Sequence, residues 1–89
     1  MNATMTEVEI WNRAIQPETG DLSEATAREL LRLHLVEDDQ QRVRQLSTKA
    51  NAGTLSISEE QELDSYLNVG RAIEFLKAKA RLSLHQAGA

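Results

Sequence analysis

His34 and Asp38 stand four residues apart, with Glu37 and Asp39 flanking the aspartate. On a continuous helix that spacing would bring an imidazole and a carboxylate to one face, the beginnings of a divalent-metal site. Two features argue against it. The helix is expected to break between them, and one imidazole beside exposed acids is a poor ligand set. His34 is expected instead as a histidine at a packed interface, and His85 as a helix-end cation or a solvated side chain. Glu59, Glu60, Glu62 and Asp64 crowd one stretch. General acid–base chemistry needs two carboxylates held across a cleft in different environments, whereas these share one exposed helix end. The chain has no cysteine, which excludes disulfides, thiolate zinc sites and cysteine nucleophiles. It also lacks a G-x-S-x-G elbow, a P-loop, a dinucleotide fingerprint, an H-E-x-x-H pair and an EF-hand loop. The sequence predicts no enzyme, no metal and no cofactor.

Two charge patterns point to binding instead. Residues 1–70 carry 13 acidic and six basic side chains, a balance of −7. Residues 71–89 carry Arg71, Lys77, Lys79 and Arg81 against Glu74 alone, a balance of +3 that completes the net −4. The acidic starts Glu37–Asp39 and Glu59–Asp64 suit a basic groove on a partner protein, although negative charge early in a helix also complements its dipole. The basic run Lys77–Arg81 suits phosphates, but cations near a helix C-terminus have the same dipolar explanation. No aromatic residue is interleaved with that run and no helix-turn-helix spacing frames it. A nucleic-acid binder would show a dominant basic field, so nucleic acid is not the expected partner.

Helices must carry these residues. Eighty-nine residues, one proline and four glycines suit one small helical domain better than a turn-rich sheet. The first segment runs from Thr6 to Gln16, with Val8, Trp11, Ala14 and Ile15 as its apolar stripe, and Pro17 ends it. Ser23 is an N-cap for a second helix whose inner face is Ala27, Leu30, Leu31 and His34. A short strand over Leu33–Val36 would have no partner, so Leu35 and Val36 are expected as a buried corner. Glu37, Asp38 and Asp39 open a third helix with the stripe Val43, Leu46, Ala50, stopped by Gly53.

Ser56 and Glu59 form the S-x-x-E capping box of a last helix running from Ile57 to about His85. Its wide apolar face holds Leu63, Tyr66, Leu67, Val69, Gly70, Ile73, Leu76, Ala80 and Leu84. Phe75 and Leu82, seven apart, lie on the other side. Two apolar faces on one helix call for a second covering surface, either a partner or the first helix folded over Phe75. Gly70 mid-helix points to close approach of another helix or to a kink.

Leu46-Ser47-Thr48-Lys49-Ala50-Asn51-Ala52-Gly53-Thr54-Leu55-Ser56, followed by Glu59 to Tyr66 and Leu76 to Leu84, resembles a group of small bacterial proteins. Their pattern is "L-x-x-K-A-x-x-G-T-L-[ST]-x-x-E-x-x-E-L-x-x-Y", then a helix ending "L-K-x-K-A-R-x-S-L". The resemblance spans residues 8–85 and also includes Trp11, the turn Pro17–Asp21 and Ala27–Leu35. Ile57-Ser58 departs from the pattern's common Pro-Glu. Genes of that group often neighbour HNH-type endonuclease genes, so the resemblance implies an antitoxin-like or regulatory companion of a nuclease, with no catalytic residues to carry over.

The expected protein is all-α, with three or four helices, short loops and a long C-terminal helix. Residues 1–5 are expected to be disordered, 6–85 to form a single helical domain and 86–89 to fray. No segment approaches the ~18 apolar residues of a membrane span, and a cytoplasmic location is expected. The favoured function is non-catalytic protein–protein interaction, either with another protein such as a nuclease or as a homodimer. Phe75 and Leu82 are its anchors, with Lys79 at their rim. The alternative is a small DNA-binding regulator using Arg71, Lys77, Lys79 and Arg81.

Overall fold

The computed structural model describes residues 3–88. Four helices follow in order: α1 (Ala3–Ile15), α2 (Glu24–Leu30), α3 (Glu37–Asn51) and α4 (Ile57–Gln86). There is no strand among the described residues, so the chain is all-α with a long C-terminal helix. α1 starts at Ala3, inside the segment expected to be disordered, while residues 1, 2 and 89 lie outside the described residues.

Each boundary has a local cause. α1 stops where Gln16 turns left-handed at φ 53° ahead of Pro17, whose ring disfavours helix in the residue before it. The Gln16 amide still closes on Asn12 at 2.9 Å, and its carbonyl accepts from Thr19 at 3.0 Å. Ser23 caps α2 as expected: its backbone is extended and its Oγ accepts from the Thr26 amide at 3.2 Å. The Gly53 stop is a Schellman motif. At φ 71°, Gly53 donates to Ala50, while the Thr54 amide reaches back to Lys49 at 2.9 Å. The Ser56–Glu59 capping box is closed in both directions. The Glu59 amide donates to Ser56 Oγ at 3.1 Å, and the Ser56 amide donates to Glu59 Oε1 at 3.0 Å.

Packing divides the chain into two compact units. One comprises Met1–Leu33 with Ala72–Ala89, and the other comprises His34–Arg71. In the first, Ala27 of α2 and Ala80 of α4 are fully buried. In the second, Leu46 is the one fully buried apolar side chain among the described residues. These are thin cores. Ile10 and Trp11 of α1 remain exposed, as do Val36, Ile57, Leu67 and Val69 of the second unit.

Three expectations about burial are corrected. His34 is not a core histidine: α2 ends at Leu30, so the chain has left the helix before reaching it, and the ring is exposed with Nδ1 2.8 Å from the Leu35 carbonyl. Val36 is 63% exposed and only Leu35 is half-buried, so the corner between α2 and α3 is not buried as a pair. Ala50 is exposed because α3 turns a different line of residues toward α4, described below.

Gln16 holds a left-handed conformation that costs a non-glycine residue roughly 1–2 kcal/mol, part of which a glycine recovers against its greater unfolded-state freedom. Gln16→Gly should therefore raise stability by about 0.5 kcal/mol, or about 2–4 °C in melting temperature. Gln16→Val should lower it. Thermal unfolding followed by circular dichroism tests both signs.

Candidate functional site

In the His34–Arg71 unit, α3 and the first half of α4 form a hairpin whose cross-helix contacts are largely polar. The Arg42 guanidinium takes both carboxylate oxygens of Glu62, Nε to Oε2 and Nη2 to Oε1, each at 2.8 Å. The Tyr66 hydroxyl donates to Asp39 Oδ1 at 2.8 Å, and the Lys49 ammonium donates to Glu59 Oε2 at 2.5 Å. Residue numbers climb on α3 (39, 42, 49) as they fall on α4 (66, 62, 59), which is the register of an antiparallel pair. Leu46 shares this line on α3, spaced for one helix face.

The charges set each other's titration. The Lys49 ammonium and the Ser56 amide together hold the Glu59 carboxyl down to about 2. Arg42 lowers Glu62, whose carboxylate in turn raises the Arg42 guanidinium. The Tyr66 phenol is raised, chiefly because its proton is held by Asp39. Three residues of the two acidic helix starts, Asp39, Glu59 and Glu62, are thus occupied within the hairpin. A shallow depression of about 250 Å³ beside them is lined by Glu62, Ser65, Tyr66 and Val69.

The other unit is fastened through Lys79. Its side chain is among the few buried polar groups at 8% exposure, although it was expected at an exposed rim. Its ammonium meets Asp21 at 2.7 Å and the Gln16 carbonyl at 3.3 Å. One turn on, Ser83 Oγ accepts from the Leu22 amide at 3.1 Å and donates to the Lys79 carbonyl at 2.8 Å. Between these ties Gly20 lies against α4: an added Cβ would stand 3.0 Å from the Leu82 carbonyl carbon and 2.5 Å from Gln86 Oε1. The loop 16–22 is therefore seated on α4 by one ion pair, one hydroxyl and one side chain that is missing. Sequence reasoning missed this loop. Lysine in the helix, with aspartate and glycine in the loop, carried the only signal.

The remaining predicted residues are scattered by this arrangement. Phe75 and Leu82 are each half-buried, and Lys79 does not stand beside them as a free cation. Of the proposed phosphate contacts, Arg71 bonds the Asn68 side chain at 3.2 Å, Lys77 the Leu33 carbonyl at 3.0 Å, and Arg81 approaches Glu74 at 3.6 Å. Among the described residues nothing within 4 Å would meet a Cβ at Gly70, so none of them accounts for the close approach that glycine suggested. Among the described residues no group of three or more His, Asp or Glu side chains is placed to hold a metal ion. No helix among the described residues is long and apolar enough to cross a membrane. No family model, no curated protein and no solved structure matches the chain.

Glu59, Glu62 and Asp21 all sit below their ordinary carboxylate values in the folded chain. A lowered carboxylate stabilises the fold above its unfolded value, and that contribution is lost as pH falls through the folded one. Stability should accordingly be flat at neutral pH and fall from about 4.5 toward about 2, the span between Glu59's ordinary and folded values. Glu59→Gln should be less stable than the parent at neutral pH and lose less on acidification. Denaturant midpoints across that range test this.

The Lys79 pair makes a different prediction. Asp21→Ala leaves a buried ammonium without its counter-ion, whereas Lys79→Met replaces the charge with an apolar chain of similar length. Asp21→Ala should destabilise more than Lys79→Met in equilibrium denaturation; the reverse order would mean that the charge itself is not what the loop needs.

Proposed function

We propose that the protein is a non-catalytic interaction module whose fold is completed by another protein. The observation that carries this reading is the imbalance of burial. Three apolar residues are fully buried among those described, while Ile10, Trp11, Leu33, Val36, Ile57, Leu67 and Val69 are exposed. Exposed apolar residues scattered singly are ordinary on a small domain, but here they outnumber the core. Phe75 and Leu82, half-buried on α4, extend the apolar surface available to a partner. The cations once considered for phosphate contact are each engaged within the chain, which favours a protein over a nucleic acid as the ligand.

In its narrower form the partner is a nuclease or toxin and this chain its small regulatory companion. What supports that form is the resemblance described above, together with a net charge of −4 that suits the basic groove of a nucleic-acid enzyme. Tagged protein recovered from nuclease-treated native cells should bring down one stoichiometric basic partner. Phe75→Ala combined with Leu82→Ala should lose that partner while far-UV circular dichroism stays helical. Recovery of the chain alone overturns the reading.

A further inference from the structure

We infer that one flank of the α3–α4 hairpin is a groove for a basic amphipathic helix of another protein. The inference rests on the interaction reading above and names its surface and the chemistry of its occupant. The polar contacts fix the rotation of both helices. With 100° per residue, α3 turns Asp39, Arg42, Leu46 and Lys49 toward α4, and α4 turns Glu59, Glu62 and Tyr66 toward α3. Val36, Val43 and Ala50, spaced by sevens, then lie in a row about a quarter-turn round α3 in the direction of increasing residue angle. Leu63, Gly70 and Leu67 lie round α4 in the same rotational sense. Because the helices are antiparallel, the two rows fall on the same side of the hairpin.

Exposure agrees with that placement. Val43, Leu63 and Gly70 are half-buried, whereas Val36, Ala50 and Leu67 are exposed, Leu67 by 51%. At Gly70 the space beside the backbone is open. The Val36–Ala50 row is about 21 Å long at 1.5 Å per residue, which matches four turns of a third helix. Two antiparallel helices with an apolar row on each, on one side, are two thirds of a three-helix bundle.

The charge at the rim selects the occupant. Beyond Leu67 on α4 come Glu60 and Asp64, both exposed, and neither takes part in an ion pair among the described residues. The α3 rim on this side is Gln40 and Ser47, without charge, and beyond them Arg44, which is paired with Glu37 at 3.5 Å; Arg71 at the far end is held by Asn68. Residues 34–71 carry seven acidic and four basic side chains in all. A helix seated here therefore presents leucine-like residues to the two rows and lysine or arginine to Glu60 and Asp64.

The test uses the full chain and a fluorescein-labelled peptide of about 18 residues, with leucine at every third or fourth position and lysine beside it. A twin peptide carries glutamate in place of lysine. Fluorescence anisotropy should show saturable binding of the lysine peptide and at least about tenfold weaker binding of its twin. Leu67→Asp should weaken the lysine peptide about tenfold while melting temperature holds, since that side chain is exposed already. Val36→Asp should weaken it as much while melting temperature holds or rises, because Val36 is the N-cap of α3 and makes no capping bond. Ile10→Asp, on the other unit, should change nothing. Equal binding of the two peptides, or a Leu67→Asp variant that titrates like the parent, overturns the groove. A concentration-dependent dimer in sedimentation that Leu67→Asp abolishes overturns the occupant, because a second copy then fills the surface. If the groove fails while the Phe75/Leu82 double variant still loses a cellular partner, the interaction reading stands on another face; if both fail, it falls too.

Discussion

Arg42 sets the geometry of the hairpin. A planar guanidinium that takes both oxygens of one carboxylate fixes orientation as well as distance. Once Arg42 and Glu62 are joined, α3 has one rotation about its axis, and the tyrosine and lysine contacts above and below fall into line with it. The consequence is a displaced apolar stripe. The aliphatic row of α3 points partly away from α4, so Leu46 is swallowed while Val36 and Ala50 stay in water. Had the helices packed by hydrophobic stripe alone, Val43 and Ala50 would face α4 and the charged residues would face solvent.

That choice is weak for stability and strong for specificity. Half-exposed ion pairs contribute little net free energy, typically below about 1 kcal/mol each, because water already solvates their charges. Each large aliphatic side chain left exposed forgoes roughly 1.5–3 kcal/mol that burial would supply. The hairpin thus trades affinity between its own helices for a defined register and a free apolar surface. Local devices compensate: a closed capping box at Ser56, a Schellman stop at Gly53 and an N-cap at Ser23 each anchor a helix end without any core.

Those devices were the legible part of the sequence. Ser23, Gly53, Ser56–Glu59 and Pro17 act through neighbours within a few residues, so their chemistry is written where it operates, and the four helices follow from them. Burial was harder to read because it depends on rotation about each helix axis. The periodicity of Val43, Leu46 and Ala50 predicts an inner face, but the bond from Arg42 to a residue twenty positions on moves that face by most of a quarter-turn. His34 fails for another reason: α2 ends a turn early at Leu30, and no residue in Leu31–Leu33 is a recognised stop signal. Lys79 was the least legible. A lysine beside Phe75 and Leu82 on a helix reads as a surface cation, and only a loop sixty residues earlier makes it interior.

The seating of that loop explains why a lysine is tolerated there at all. A methionine would fill the same volume without desolvating a charge, and buried ion pairs often cost as much as they contribute. The ammonium does something methionine cannot. Gln16 ends α1 in a left-handed turn, and its carbonyl accepts from Lys79 as well as from Thr19; Asp21, five residues later, pairs with the same ammonium while its own side chain stays 63% exposed. A single lysine reaches both, so it fixes the two ends of the loop relative to α4 and brings Gly20 against the helix backbone. Ser83 then takes the Leu22 amide just before the Ser23 cap, which ties the start of α2 to the same helix face. The polar interior of this unit thus does the work of chain direction that a larger protein would leave to its hydrophobic core, and it leaves the apolar residues of α1 and α4 available at the surface.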